Sequence, residues 1–271
     1  MNFLNRLQDS FNLNASKNAL CINDVFYTYK DLSESILIIR KLIQTEIKPT
    51  EKLIGLVAND DLETYATIFA LWLESKAYIP INPTAPIERN TEIFNLTESR
   101  FIFDSSSESF YSENFEVLNI YSRSRKNEKH VLEEVLYAEN DTAYILFTSG
   151  STGKPKGIPI SFKNLNALAT NLDLDEEYKL NSTDRCLQMY DLTFDASLTA
   201  ILPALLAGAC LYTVPSSAIK YLYTYKLLVK HNLTVLKMVP SIIYYLRPYF
   251  SEIDAPSVRY SIFGGEKLYE D

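Results

Sequence analysis

Directly behind the apolar run Tyr144–Phe147 the chain sets Thr148, Ser149, Gly150, Ser151, Thr152, Gly153, Lys154 and Lys156, and the stretch 144–161 holds three of the protein's seven glycines. Glycine lets a main chain approach a ligand closely, hydroxyls and backbone N–H groups donate hydrogen bonds, and lysine adds charge. Aimed by a strand, that combination makes a cradle for an anion, with phosphate the natural guest. The Walker pattern G-x-x-x-x-G-K-[ST] does not fit: Thr148 stands five positions before Gly153, and Pro155 follows Lys154 where the magnesium-binding hydroxyl belongs. A P-loop kinase or GTPase is thereby excluded.

Two further residues could do chemistry. Asp195 stands where a helix begins, so it reads either as an N-cap or as a carboxylate free for a ligand. Lys237 sits in LTVLKMV, where Leu233, Val235 and Val239 make one face and Thr234, Leu236 and Met238 the other. Both faces read as buried, so the ammonium must pair, lose its proton or snorkel out, unless the strand is an edge. His130 and His231, the chain's two histidines, show no Ser/His/Asp or metal-ligand spacing and read as surface residues, so no protein-held metal is expected.

The elements that must position these groups follow from periodicity. Ala19–Ile22 and Val25–Thr28 flank Asn23-Asp24 as a hairpin, and Thr28 with Asp31 caps a helix carrying Leu32, Ile36, Ile39 and Ile43 on one side. LIGLVA (53–58), the helical face Leu62, Tyr65, Ala66, Phe69, Trp72 and Leu73, and AYIPI form a βαβ unit, which predicts a parallel sheet covered by helices. From Ser105 to about Glu134 the chain turns polar and reads as a connection. Alternation then resumes: YILF, a helix from Ser161 to Leu172, CLQM, a helix from Asp195 to about Ala207, then ACLYTV, LTVLKMV and VRYSIF. The expected fold class is α/β, as two successive lobes at 1–135 and 136–271 with helix-covered, largely parallel sheets.

Composition narrows the partners. With 26 Lys+Arg against 34 Asp+Glu the formal charge is −8, the wrong sign for neutralising nucleic-acid phosphates. Cys21, Cys186 and Cys210 are odd in number and widely spaced, which suits buried thiols in a reducing cytoplasm rather than a disulfide framework. The N-terminus has no signal-peptide core. The most apolar stretch, Ala200–Val214, is broken by Pro203 and Gly208 and falls short of the roughly 20 residues a membrane span needs, so no membrane role is expected.

FTSGSTGKPKG resembles the phosphate-binding signature of the adenylate-forming (AMP-binding) enzymes, which include acyl-CoA synthetases, luciferases and the amino-acid adenylation domains of nonribosomal peptide synthetases. YTYKDL (27–32), ESKAYIPINPTAPIERN (74–90), LTFDASL (192–198) and GGEKL (264–268) resemble further motifs of the adenylation domains, in the same order along the chain. The resemblance implies ATP-dependent activation of a carboxylate, with Mg2+: the carboxylate attacks the α-phosphorus, pyrophosphate leaves, and a carrier-protein phosphopantetheine thiol takes the acyl group. It implies that residues 148 to 154 and Lys156 hold the β- and γ-phosphates, and that Gly264, Gly265 and Glu266 lie beside the nucleotide. It places Asp195, Ala196, Thr199, Lys237, Ile262 and Gly264 at the selectivity positions, with Asp195 against the substrate's α-ammonium group. That series resembles domains that activate aspartate or asparagine, although leucine more often fills the second place.

The chain stops before the family's YGPTE segment, its ribose-binding aspartate and its C-terminal domain with the catalytic lysine. It therefore looks like an N-terminal portion, weak or inactive by itself. Two alternatives stand beside the amino-acid reading: an aryl or fatty acyl-CoA synthetase, and a non-catalytic remnant that binds a carrier protein.

Overall fold

The computed structural model describes residues 2–113, 115–121, 137–149, 154–174 and 176–268. In chain order the elements are α1 (Phe3–Leu13), β1 (Asn18–Ile22), β2 (Val25–Thr28), α2 (Tyr29–Glu46), β3 (Leu53–Val57), α3 (Leu62–Leu73), β4 (Ala77–Ile81), α4 (Ile87–Leu96), β5 (Phe101–Asp104) and β6 (Glu116–Asn119). They continue as β7 (Thr142–Ser149), β8 (Pro155–Ser161), α5 (Phe162–Leu174), β9 (Arg185–Gln188), α6 (Ala196–Leu206), β10 (Cys210–Thr213), α7 (Lys220–His231), β11 (Val235–Met238), α8 (Ser241–Leu246) and β12 (Tyr260–Phe263).

Local chemistry accounts for most starts and turns. Asn23 and Asp24 hold φ of 52° and 64°, the left-handed pair that a two-residue hairpin turn requires. Thr28 and Asp31 close a reciprocal capping box at α2, with each side chain accepting the other's backbone N–H at 3.1 and 2.8 Å. Asp61 caps α3 through the Thr64 N–H at 2.8 Å. Gly55 lets α4 lie close on β3: a Cβ there would collide with the Phe94 ring and with Ile102.

Two six-stranded sheets result, ordered β12-β11-β9-β10-β1-β2 and β6-β5-β3-β4-β7-β8, parallel except for the hairpins β1–β2 and β7–β8 at one edge of each. The α/β class with helix-covered, largely parallel sheets is as the alternation implied. The sheets do not divide the chain at residue 135, however. The first hairpin pairs with β10, in the sheet otherwise built from later strands, and β7–β8 extends the earlier sheet by pairing with β4. In each hairpin the outer strand pairs with its neighbour in sequence while the inner one, β1 or β7, joins a strand distant in sequence, a choice made by long-range packing. The connection expected at 105–134 is not wholly irregular either: β6 lies within it, parallel to β5.

The helices α1, α2, α3 and α6 share one core with Leu20 and Leu211 of one sheet and Ile54, Leu56 and Tyr78 of the other. Trp72, fully buried, anchors it by donating Nε1–H to the Ala143 carbonyl at 2.9 Å, with Phe3 and Phe69 edge-on to its ring. The Ala200–Val214 stretch is the end of α6 followed by β10, and no described helix is long and apolar enough to cross a membrane. All three cysteines are free and buried.

A further sequence expectation needs correction. His231 is not a surface residue: its side chain keeps 11% exposure, lies edge-on to Phe26, packs on Tyr212 and meets the Asp24 carboxylate at 2.9 Å. Cys21 is close enough that Cys21, Asp24 and His231 could meet around a cation. Against that, Lys226 and Lys230 already hold the second Asp24 oxygen at 3.0 Å each, and burial pushes the Cys21 thiol up to about 11. The cluster fastens α7 to the first hairpin. His130 lies outside the described residues.

Candidate active site at the carboxyl edge of the sheets

Parallel strands point their carboxyl ends the same way, and in open α/β sheets ligands bind there. Asp60 follows β3, Asn82 follows β4, Asp191 and Asp195 follow β9, Val239 follows β11 and Gly264 follows β12.

The anion-cradle stretch lies in the β7–β8 hairpin. Thr148 faces Lys156 and Ser149 faces Pro155 across the antiparallel pair. Thr148, Lys154 and Lys156 are exposed, and both lysines line an open groove of about 730 Å3 with Leu53, Leu96, Glu98 and Phe147. Gly150, Ser151, Thr152 and Gly153, together with the Ser149 side chain, fall outside the described residues.

The residues singled out as substrate-binding converge from three elements. Asp195 occupies the residue before α6 but makes no capping hydrogen bond: its φ of −60° and ψ of −30° are helical, whereas a capping side chain needs an extended backbone. The carboxylate is exposed instead. One turn into α6, Thr199 turns its hydroxyl back to the Ala196 carbonyl at 2.7 Å, and its own carbonyl accepts from Lys237 Nζ at 3.1 Å. Lys237 does not lie on an edge, because β11 is flanked by β9 and β12. Burial pulls its ammonium below the ordinary lysine range and the nearby Asp195 charge opposes that. Ile262 pairs with Lys237 across the β11–β12 register. The same Asp195 charge, added to burial, lifts the phenol of Tyr144, which stacks on Tyr78 at 5.4 Å. So α6, β11 and β7 bring a carboxylate, an ammonium and a phenol to one place.

The GGE segment closes that edge. Gly264 N–H donates to the Met238 carbonyl at 3.2 Å, and Gly265 has a φ of 86°, open to glycine. Glu266 accepts the Ser241 N–H at 2.9 Å at the start of α8, and its charge, after burial, raises the Tyr190 phenol to about 12.

Two features escaped the sequence reading. Asn82 Nδ2 donates to Asp191 Oδ2 at 2.6 Å, joining the end of β4 to the loop that carries Asp195. Asn82 stands within the quoted PINP segment, which was a signal. Asp60, with φ of 57°, accepts the Tyr65 hydroxyl at 2.6 Å, and no motif marks that pair.

Residues 7–271 match the AMP-binding enzyme family. The chain belongs to that family. A linear gramicidin synthase of Brevibacillus parabrevis is 29% identical over 252 residues, and the D-alanine–D-alanyl carrier protein ligase of Streptococcus pneumoniae is 26% identical over 247 residues. They match 92% and 89% of this chain, which spans 3% and 48% of their lengths. Among solved structures, the Vibrio cholerae adenylation domain AlmE in complex with glycyl-adenosine-5'-phosphate superposes with a TM-score of 0.81 at 26% identity, covering 96% of this chain and 54% of that one. The two sheets and their helices are thus the N-terminal part of the adenylate-forming fold.

Proposed function

We propose that this AMP-binding chain forms the acid-binding part of an ATP-dependent ligase that activates aspartate or asparagine as an aminoacyl-adenylate and hands it to a carrier-protein thiol. The observation that carries the reading is the Lys237 ammonium at 3.1 Å from the Thr199 carbonyl, one helical turn beyond the free Asp195 carboxylate. A carboxylate and an ammonium set at one strand edge fit the two ends of an amino acid with a polar or acidic side chain. Asp195 binds the α-ammonium group and Lys237 meets the side-chain oxygen, which leaves the α-carboxylate free for phosphorus. Thr148, Lys154 and Lys156, with residues 149 to 153, receive the triphosphate, so that the new O–P bond forms as pyrophosphate departs. The protein's share is positioning and charge stabilisation, with no nucleophile of its own. No described acidic cluster lies at this edge as a ready cation site: Mg2+ would enter on the phosphates, as that ion commonly does.

Isothermal titration of the chain with non-hydrolysable aminoacyl-sulfamoyl adenosines tests the reading. The aspartyl or asparaginyl compound binds, and Asp195→Ala abolishes the binding. Preference for a benzoyl or fatty acyl compound, indifferent to Asp195→Ala, points instead to an aryl or fatty acyl-CoA synthetase. Carrier-protein binding with no affinity for any adenylate mimic points to a non-catalytic role.

A second reading rests on the printed activities of two relatives, the glycyl-adenylate complex of AlmE and the D-alanine ligase. A small amino acid would leave Lys237 unused, so selection of glycyl or D-alanyl mimics, unchanged by Lys237→Met, favours it.

A further inference from the structure

The turn that carries Asp195 is built on one carboxylate. Asp191 Oδ1 accepts the Thr193 N–H at 2.9 Å and the Thr193 hydroxyl at 2.8 Å, and the Asp191 carbonyl accepts the Phe194 N–H at 3.0 Å. Asp195 follows directly, its carbonyl accepting the Leu198 N–H at 3.0 Å as α6 begins. The other Asp191 oxygen, Oδ2, is held from the opposite sheet by Asn82 Nδ2 at 2.6 Å. Asn82 stands one residue beyond β4 and is itself fixed twice. Its Oδ1 accepts the Thr84 N–H at 2.8 Å and hydroxyl at 2.7 Å, and its carbonyl accepts Asn90 Nδ2 at 2.9 Å. Asn90, buried in α4, donates also to the Tyr111 hydroxyl at 2.9 Å. An unbroken run of hydrogen bonds, Tyr111 to Asn90 to Asn82 to Asp191, therefore reaches from one sheet to the turn before Asp195 in the other.

We propose that Asn82 is a positioning residue for the substrate's amine: its amide grips Asp191 and so aims Asp195, without itself touching the substrate. The proposal rests on the reading of Asp195 as the amine's partner.

The chemistry of the pair suits that role. A hydrogen bond from an amide to a carboxylate is charge-assisted and stronger than one between neutral groups, so it can hold a loop that has no regular structure of its own. The amide has one satisfactory orientation, since Nδ2 reaches Asp191 only while Oδ1 faces Thr84, and a flipped amide would set its oxygen against the carboxylate. Leu192, buried in the shared core, keeps the loop attached, so losing the tie costs aim rather than fold. Poorer aim lowers the fraction of molecules with Asp195 in the binding pose, and the apparent affinity falls by that fraction.

The tie can also be inverted. Asn82→Asp alone sets two carboxylates against each other, and Asp191→Asn alone leaves one amide oxygen that cannot serve Asn82 and Thr193 on opposite sides. In the double variant Asn82→Asp/Asp191→Asn, the carboxylate at position 82 keeps an oxygen for Thr84 and accepts from the new amide, whose own oxygen still accepts from Thr193.

Calorimetry on the 271-residue chain, with aspartyl-sulfamoyl adenosine and its des-amino (succinyl) counterpart, reads the amine's share of binding. Each single variant should bind the aspartyl compound roughly ten-fold more weakly and the succinyl compound as wild type does, and the double variant should recover the aspartyl compound. Equal weakening of both compounds, wild-type affinity in Asp191→Asn, or no recovery in the double variant overturns the proposal. Asp191→Asn and the double variant decide even if Asn82→Asp fails to fold. Hydrogen exchange read by mass spectrometry, without substrate, separates the tie from the reading it rests on. Protection of residues 193–195 should fall roughly three- to ten-fold in each single variant and return in the double. If the wild type binds neither compound while exchange follows that pattern, the reading of Asp195 is at fault; unchanged exchange in the single variants overturns the tie itself.

Discussion

Replacing Lys237 by Met should make the protein more stable and less selective. The ammonium is held by one hydrogen bond of 3.1 Å to the Thr199 carbonyl, and Asp195 helps it only from a distance. A hydrogen bond to a charged group contributes about 1.5–3 kcal/mol, while withdrawing an ammonium from water costs several kcal/mol even after relaxation. Methionine keeps most of the apolar stem and discards both terms, so the net gain should be about 1 kcal/mol, the low end for replacing a buried charge by an apolar residue. The sign with pH is fixed by the direction of the shift. A lysine whose ammonium is disfavoured in the folded state costs stability at neutral pH, and the cost disappears as pH rises towards the ordinary lysine range. Urea unfolding should thus show Lys237→Met ahead of wild type at neutral pH and the gap closing in alkali. Calorimetry with adenylate mimics should show the aspartyl compound weakened by at least about ten-fold, with the glycyl compound unchanged. A variant less stable than wild type by about 2 kcal/mol or more would refute the burial argument. Equal weakening of both mimics would refute the pocket assignment.

Other expectations are simpler. Gly55→Ala should destabilise by about 1–3 kcal/mol in urea unfolding, because the new methyl meets Phe94 and Ile102 under α4. Asp24 is held well below the usual carboxylate range by His231 first and then by Lys230 and Lys226, so it contributes stability at neutral pH that is lost as pH falls below about 4. Asp24→Asn should therefore trail wild type by up to about 1 kcal/mol at neutral pH, the gap vanishing in acid. Arg259→Ala removes the guanidinium that contacts both oxygens of buried Asp184 at 2.7 and 2.6 Å. A cost of about 2 kcal/mol is expected by denaturant titration, reduced from the fully buried case because the arginine is partly exposed.

Features written in neighbouring residues were legible in the sequence. The Asn23-Asp24 turn, the Thr28/Asp31 capping box and the βαβ unit around Trp72 each depend on spacings of a few positions, and all three form. What depended on distant partners was not. His231 finds Asp24 across 207 positions, and β1, besides its hairpin partner β2, takes the distant β10 as its other neighbour. The strand β6 hides because half-exposed Glu116 and Asn119 bracket only Val117 and Leu118, too little apolar pattern to register. α1 was missed although Phe3, Leu4, Leu7 and Phe11 mark a helical face, since a terminal stretch is read first for a leader segment and only then for periodicity. At the candidate site the residue types were readable, yet whether Asp195 caps its helix and whether β11 is an edge were questions of backbone angle and strand order.

The most direct test of adenylate formation at this edge is a crystal structure of the chain soaked with a non-hydrolysable ATP analogue and aspartate. Triphosphate oxygens are predicted against the main chain of residues 148–154, with the amino group beside Asp195. Phosphates lodged away from that segment, with Asp195 still facing solvent, would contradict it.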